Sequence, residues 1–87
     1  MGKRVPTRPS WTANIGMIIA EGERVRAMCE KCRGYRDVDL QALAEALGAD
    51  YDLWNRTTKP CRITPGCDGR NRFYFSGRGR FSPMRDG

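Results

Sequence analysis

The fold of this chain depends on two short stretches that hold its four cysteines: CEKCRGY at residues 29–35 and PCRITPGCDGR at residues 60–70. Two residues separate Cys29 from Cys32, and five separate Cys61 from Cys67. From these spacings alone, three interpretations are open. The cysteines could form two disulfides, one redox-active pair with two bystanders, or one metal site to which both stretches contribute.

The size of the chain favours a site that adds stability. A single domain of 87 residues buries too little surface to be comfortably stable without a metal, a disulfide or a similar link. The basic N-terminus is not followed by the apolar segment of a signal peptide, and the longest apolar run, residues 17–20, is too short to cross a membrane. We therefore expect a cytoplasmic protein with no membrane partner, and disulfides are rare in that compartment.

Reduced cysteines in a small domain favour metal ligation over disulfides. A redox pair is disfavoured because no βαβ pattern surrounds the CxxC motif. The two-residue spacer lets a tight turn direct two thiolates at one ion, and Zn²⁺ accepts four sulfur ligands in a tetrahedron. We therefore predict one structural zinc ion as the cofactor, with four ligands: Cys29, Cys32, Cys61 and Cys67.

The residues around the second cysteine pair explain its longer spacer. Pro65 and Gly66 form a turn signal that folds the extra residues outward before Cys67. Gly34 and Gly69 each follow a cysteine pair at the same distance. We expect both glycines to adopt a positive φ, which would turn backbone N–H groups toward the sulfurs.

Hydrophobic periodicity predicts strands beside both cysteine stretches. Residues 15–29 read as two short strands around a turn at Gly22, and the second strand leads directly into Cys29. The segment GRNRFYFSGRGRF at residues 69–81 predicts a further strand, with Phe73 and Phe75 on one face and Arg72 and Tyr74 on the other. The glycines that follow predict a turn and then a short return strand or a tail.

Residues 40–47 give the clearest helix, since their leucines and an alanine recur at the i, i+3, i+4 and i+7 positions of one face. Asp39 is suited to cap its N-terminus, and Gly48 is suited to end it. The next segment is expected to add a further helical turn, with Leu53 and Trp54 as core anchors.

These elements predict a small α+β fold: a zinc ribbon whose short antiparallel sheet carries one inserted amphipathic helix. We place the domain at residues 14–76. Residues 1–13 read as a flexible basic tail, and residues 77–87 read as an Arg/Gly-containing tail. A monomer is the default expectation.

The net charge of +6 is unevenly distributed along the chain. Residues 1–36 hold eight basic and three acidic residues, residues 37–55 hold five acidic and no basic ones, and residues 56–87 hold eight basic and two acidic ones. Basic ends around an acidic middle are typical of a surface that faces a polyanion. The same arginines could instead form a solvated surface, or offset the charge of the thiolates.

The sequence contains no signature of an enzyme. It has no histidine, which removes the commonest general base. Its serines lack the context of a catalytic nucleophile, and the glycines at residues 77–79 are too few for a phosphate-binding loop. We therefore expect a binding protein.

Two longer motifs resemble a known group of proteins. RVRAMCEKC at residues 24–32 and DLQALAEALGADYDLW at residues 39–54, followed by the second cysteine pair, resemble small uncharacterised zinc-ribbon proteins of alphaproteobacteria and their phages. The likeness covers roughly residues 15–75 and implies a zinc-ribbon fold with the four cysteines as ligands. CRITPGC stands here where that family more often has CxxC. The resemblance implies no activity.

The leading functional hypothesis is a nucleic-acid-binding zinc ribbon with a regulatory or accessory role. The exposed face of the helix is acidic, so DNA or RNA would bind the sheet and not the helix. Binding would be largely electrostatic. The alternative is an adaptor that docks on a protein such as a polymerase, a nuclease or a phage component, and a third option is a sensor of metal or oxidation. The predicted nucleic-acid contacts are Arg24, Arg26, Arg70, Arg72, Tyr74, Arg78 and Arg80.

Overall fold

The computed structural model describes residues 8–77 and 79–85 and shows a small α+β fold, as the sequence predicts. Two α-helices and an antiparallel sheet make up this fold, so it has one helix more than the sequence predicts. A short 3₁₀ helix, Ser10–Thr12, precedes them. In chain order the elements are α1 Ile15–Glu21, β1 Val25–Cys29, β2 Tyr35–Asp37, α2 Leu40–Leu47, β3 Thr57–Thr58, β4 Asn71–Gly77 and β5 Arg80–Pro83.

Strands β1 and β4 form the centre of the sheet. Their antiparallel register runs from Val25 opposite Phe75 at one end to Cys29 opposite Asn71 at the other. Strand β2 pairs with the free edge of β1, while β3 and β5 both pair with β4, one near its start and one near its end. The central pair therefore links the apolar core at one end to the first cysteine at the other.

The apolar core lies on one face of the sheet, which we call the inner face. Directly opposed residues of an antiparallel pair project to the same side, so Val25 and Phe75 enter the core together. Helix α1 packs on this face. The fully or almost fully buried members of the core are Ile15, Ile18, Val25, Leu53, Phe75 and Met84.

The sequence prediction is wrong at residues 15–21, where the structure has helix α1 instead of a strand. The side chain of Asn14 caps this helix by accepting a backbone N–H of the first turn at 2.8 Å. Gly22 ends it in the left-handed conformation, with φ 77°. Ile15 and Ile18 are fully buried one turn apart, so packing of a helix face on the core outweighs the strand preference of isoleucine.

Helix α2 confirms the clearest sequence prediction. The Asp39 side chain accepts the Ala42 backbone N–H at 3.1 Å, and Gly48, with φ 105°, ends the helix. The further helical turn is absent from residues 50–56, but both predicted anchors contribute to packing. Leu53 is fully buried, and Trp54 lies beside a core ring. Neither helix of the described chain is long and apolar enough to cross a membrane.

The folded domain begins earlier than the predicted boundary at residue 14. Trp11 packs edge-on against Phe75, with 5.5 Å between ring centroids. Thr12 is fully buried, and its hydroxyl donates to the Pro9 carbonyl at 2.6 Å. Contact with the core therefore holds this segment, although its local sequence shows no periodicity. Residues 1–7 of the predicted tail lie outside the described residues.

The domain also extends beyond the predicted end at residue 76. A turn with Gly79 at φ 83° leads into β5, so the glycine turn and the return strand are both present. Met84 then enters the core and is fully buried, and its backbone N–H donates to the Phe73 carbonyl at 2.9 Å. The predicted tail therefore supplies both a strand and a core residue.

Candidate metal centre and outer sheet face

The four cysteines meet at the end of the β1–β4 pair, and we call them the cysteine cluster. Cys29 is the last residue of β1 and Cys32 lies in the turn after it, while Cys61 and Cys67 belong to the loop between β3 and β4. All four Sγ atoms lie within 4.8 Å of one another, and all four cysteines are free of disulfides. The structure therefore brings together the four residues that the sequence predicts as ligands.

The spacing of the sulfurs suits one tetrahedral ion. Sγ of Cys29 is 3.7 Å from that of Cys67, and Sγ of Cys32 is 3.9 Å from that of Cys61. Four sulfurs held at about 2.3 Å from a common centre would be about 3.8 Å apart along each edge of the tetrahedron. These two separations match that edge and all the others are within 4.8 Å, so the cluster could hold a single metal ion.

Backbone N–H groups point at these sulfurs and prepare them to carry negative charge. The residue two positions after each of three cysteines donates its N–H to that cysteine. Such local N–H groups stabilise an anion in the concavity of a turn. The donor and acceptor pairs are Lys31 to Cys29 at 3.2 Å, Ile63 to Cys61 at 3.4 Å and Gly69 to Cys67 at 3.3 Å.

Gly34 and Gly69 serve the cluster differently from the sequence prediction. Neither has a positive φ; in the two cysteine loops that conformation falls instead on Arg33 and on Gly66 of the predicted turn. The two glycines provide space. A Cβ at Gly69 would lie 2.6 Å from Sγ of Cys29, and one at Gly34 would lie 3.0 Å from a methyl carbon in the second cysteine loop.

Asn71 joins the second cysteine loop to the sheet. It is only 7% exposed, and its Oδ1 accepts the Arg62 backbone N–H at 3.0 Å. Its Nδ2 is buried and makes no well-formed hydrogen bond within residues 8–77 and 79–85. The same amide lowers the pKa of Cys61, so it lies beside that sulfur. A metal-bound Cys61 thiolate would give Nδ2 the acceptor that it lacks, which fits a metal at this site.

Ionisation of one thiol in the cluster disfavours ionisation of its neighbours. The backbone N–H of Thr64 and the side chain of Asn71 lower the pKa of Cys61 to about 6. The Gly69 N–H also lowers the pKa of Cys67, but burial and the other three sulfurs outweigh it and raise that pKa to about 11. Neighbouring thiolates therefore disfavour full ionisation of the cluster, and a bound cation would remove this opposition.

The face of the sheet opposite the core is open, and we call it the outer face. The register places Arg26 beside Asp37 of β2 and Tyr74 of β4. No residue of this face belongs to the core or to the described side chains packed against the core. Its described members are Arg24, Arg26, Met28, Tyr35, Asp37, Thr57, Arg72, Tyr74, Ser76, Phe81 and Pro83.

Arg26 organises the centre of the outer face. Its guanidinium carbon lies 4.0 Å from the ring centroid of Tyr35 and 4.1 Å from that of Phe81. Nε of Arg26 is 3.3 Å from a carboxylate oxygen of Asp37. The guanidinium thus lies between aromatic rings from two other strands, and cation–π attraction holds both rings near it.

The predicted nucleic-acid contacts are only partly gathered on the outer face. Arg24, Arg26, Arg72 and Tyr74 lie there, and Arg70 is exposed just before β4. Arg80 lies opposite Gly77 at the end of the β4–β5 hairpin, at a position that alternation along the strand assigns to the inner face. Arg78 lies outside the described residues.

The sequence prediction missed several partners on this face. The Arg72 Nε donates to Glu30 at 2.7 Å. This hydrogen bond and the charge of Arg72 lower the pKa of Glu30, and they outweigh partial burial, which would raise it. Tyr35, which contacts Arg26, was also absent from the predicted contacts. Only strand alternation after the first cysteine turn could have suggested that Tyr35 faces outward, because its partners are distant in sequence.

In comparisons with models of protein families, with curated proteins and with solved structures, no match to this chain was found.

Proposed function

We propose that this protein is a zinc-ribbon domain that binds single-stranded nucleic acid at its outer face, as an accessory or regulatory factor. The observation that carries the proposal is the Arg26 stack, in which an open sheet face displays two aromatic rings around a guanidinium. Single-stranded nucleic acids bind such faces by stacking their bases on aromatic and guanidinium planes.

Zinc is the metal that best suits the cysteine cluster. Four thiolates in a tetrahedron are typical of zinc or of iron–sulfur chemistry. Each of the two cysteine loops adjoins a central strand of an antiparallel sheet, which supports the zinc-ribbon proposal. With four protein ligands the metal would have no open position, so its role would be structural.

The rings on the outer face are accessible to bases. The Tyr35 residue is 55% exposed, a high value for an aromatic residue on a sheet. Tyr74 lies next to Arg26 across the β1–β4 pair and is half-buried. Every nucleobase has a π-face, so stacking on these rings would tolerate many sequences.

Charge plays a smaller part in this proposal than the net charge alone suggests. Arg26 and Arg72 are neutralised by Asp37 and Glu30. Arg24 and Arg70 are exposed and make no ion pair with a described residue, so they are the arginines best suited to phosphates. Two phosphate contacts give a slope of log affinity against log salt of about −1.4 for single strands.

The binding test uses fluorescence anisotropy with labelled DNA and RNA oligonucleotides of about 15 nucleotides. We expect single strands to bind better than the matching duplex. Tyr35→Ala and Phe81→Ala should each weaken binding about tenfold, because base stacking is worth about 1–3 kcal/mol. Met17→Ala is the matched control, since Met17 is 43% exposed on α1 and lies off the sheet.

Two outcomes would contradict this proposal. Duplex and single strand could bind equally, or the two aromatic variants could bind as tightly as Met17→Ala. Metal analysis of protein purified without added metal tests the zinc separately. We expect one zinc per chain; iron, or metal-free folded protein with oxidised cysteines, would contradict the zinc assignment.

A further inference from the structure

A groove lies between helix α2 and the inner face of the sheet, on the side opposite the outer face. We call it the α2 groove. Its volume is about 520 Å³, within the range of about 300–1,000 Å³ that is usual for binding pockets. Its apolar lining comes from β1, α2, the second cysteine loop and β4: Ala27, Ala42, Leu43, Ala46, Ile63 and Phe73.

The groove exists because alanines of β1 and α2 leave space between the sheet and the helix beyond the edge of the core. The core covers the inner face around Val25 and Phe75, but the next inner-face pair is Ala27 opposite Phe73. Ala42 and Ala46 of α2 also line the groove. No residue of α2 is fully buried, so the apolar side of this helix is only partly covered by the chain itself.

The charges along the groove have a net positive sign. Arg36 and Arg62 line it, and the Arg36 Nη2 donates to the Arg62 carbonyl at 2.6 Å. Neither arginine forms an ion pair with any carboxylate in the described chain. Asp37 and Arg72, which the register places on the outer face, also border the groove, and each forms an ion pair, with Arg26 and with Glu30. Asp39 caps α2 and leaves one carboxylate beside the two guanidinium groups. An apolar cleft beside two unpaired guanidinium groups complements an apolar ligand that carries negative charge.

We propose that the α2 groove binds a segment of a partner protein in which large apolar side chains adjoin acidic residues. This is a second binding site on the opposite side of the sheet, and it does not depend on the nucleic-acid proposal. The chain's own residues 1–7 have the wrong charge for it, since they contain Lys3 and Arg4 and no acidic residue. With both faces occupied, the protein would link a nucleic acid to a protein.

The first test measures binding of three fluorescein-labelled peptides to the zinc-loaded protein by anisotropy. We expect EELFEE to bind, because its leucine and phenylalanine fill the groove and its glutamates approach Arg36 and Arg62. KKLFKK and EESSEE should bind at least about tenfold more weakly, since one reverses the charge and the other lacks the apolar side chains. Absent binding of EELFEE at millimolar peptide, or equal binding of KKLFKK, would overturn the proposal.

The second test places the site with two pairs of matched variants. Ala46→Phe fills the groove, and Ala20→Phe makes the same change at an exposed position on α1. Arg62→Gln removes a groove charge, and Arg24→Gln removes one from the outer face. Each groove variant should weaken EELFEE binding about tenfold, while its partner variant leaves it unchanged.

The same variants separate this proposal from the nucleic-acid proposal. Arg24→Gln should weaken oligonucleotide binding and leave EELFEE binding intact, and Arg62→Gln should do the reverse. An amide NMR spectrum that matches the unsubstituted protein away from the changed residue shows that each variant is folded. EELFEE binding that is lost in both members of a pair, or in neither, would place the peptide elsewhere and overturn the groove proposal.

Discussion

At one end of the β1–β4 pair Val25 faces Phe75 within the apolar core, and at the other end Cys29 faces Asn71 beside the cysteine cluster. The first end is covered by α1 and by buried side chains from both ends of the described chain. The second end has much less apolar cover: every residue of β2 and of β3 is exposed. Its buried side chains are two cysteines and an asparagine.

The comparison indicates that the two ends depend on different forces. Burial of isoleucine, leucine, methionine and phenylalanine stabilises the core end. At the cysteine end, ligands from two distant loops must be held together without such burial, and a metal ion can do this. The predictions below test this division, and they are ordered from the largest expected effect to the smallest.

Removal of the proposed zinc ion should have the largest effect. Structural zinc sites in small domains contribute about 10–16 kcal/mol of apparent binding free energy, and whole domains are stable by only about 5–15 kcal/mol. We therefore expect a chelator to unfold the chain, with loss of the far-ultraviolet circular dichroism signal, and added zinc to restore it. A metal-free protein that keeps its sheet would show that the core end is sufficient, which contradicts the comparison.

Truncation of a core residue should destabilise the chain without altering the metal ligands. Ile18→Ala removes a fully buried side chain and should lower the free energy of unfolding of the zinc-loaded protein by about 2–5 kcal/mol. Met17→Ala on the same helix should change it by less than about 0.5 kcal/mol. The absorption spectrum of the cobalt-substituted protein should match in both variants; a shifted spectrum in Ile18→Ala would show that the two ends are not separable.

Addition of one methyl group at Gly69, beside the sulfurs, should weaken the cysteine end of the molecule and leave the core end unchanged. A Cβ at Gly69 would lie 2.6 Å from the Cys29 Sγ and 3.3 Å from the Cys67 Sγ. Gly69→Ala should therefore destabilise the zinc-loaded protein by about 1–3 kcal/mol and weaken zinc binding. The control is Gly77→Ala, whose Cβ would be 3.5 Å from its nearest neighbour. Equal zinc affinity of the two variants in a competition with a chromogenic chelator would count against a close-packed metal site.

The parts of the fold that follow from local sequence could be predicted, and the parts that need distant contacts could not. Within a few residues, the sequence of helix α2 contains its N-cap, the apolar residues of one face and its terminal glycine. The chain contains only four cysteines, so a site with four sulfur ligands has one possible set. Helix α1 was missed because isoleucine favours strands until a core is present to bury one helical face. Met84 joins the core from a segment without periodicity, so no local pattern could show its burial.

The same distinction applies to the candidate sites. The cysteine cluster combines residues that are conspicuous one by one. The Arg26 stack combines residues from β1, β2 and β5, which meet only through the strand order. Asn71 gave no signal either, because its importance comes from facing Cys29 across the sheet and from binding the Arg62 backbone.

Substitution of Asn71 should weaken zinc binding without removing a ligand. Asn71→Asp keeps an acceptor for the Arg62 N–H but replaces the Nδ2 donor with a negative charge beside Cys61. Outer-shell donors of this kind change metal affinity by about 10–100-fold, so Asn71→Ala and Asn71→Asp should both show losses in that range. If Asn71→Asp binds zinc as tightly as the unsubstituted protein, the amide only positions the loop and does not donate to the thiolate.

The smallest expected effect concerns an ion pair at the core end. Arg8 Nη2 lies 2.6 Å from Asp52, and the Arg8 guanidinium also lies over Trp54. Partial burial raises the pKa of Asp52, but the hydrogen bonds from Arg8 and from the Trp54 N–H outweigh it and hold that pKa below its ordinary value. A lowered carboxyl pKa contributes stability above the unfolded pKa of about 3.9 and loses it as the pH falls through the folded value, so the contribution is complete at pH 7.

The test of this ion pair is made at neutral pH, where the cysteine ligands of the zinc-loaded protein stay deprotonated. The Asp52 side chain is 45% exposed, so solvent screens the pair, and Arg8→Gln should cost about 0.5–1 kcal/mol by urea unfolding. In about 1 M salt, where the screening length falls to about 3 Å, the difference between the two proteins should shrink. The zinc affinity of Arg8→Gln should stay unchanged, because Arg8 contacts the core end of the molecule. A loss of zinc affinity as large as that of Asn71→Ala would show that the two ends respond as one unit.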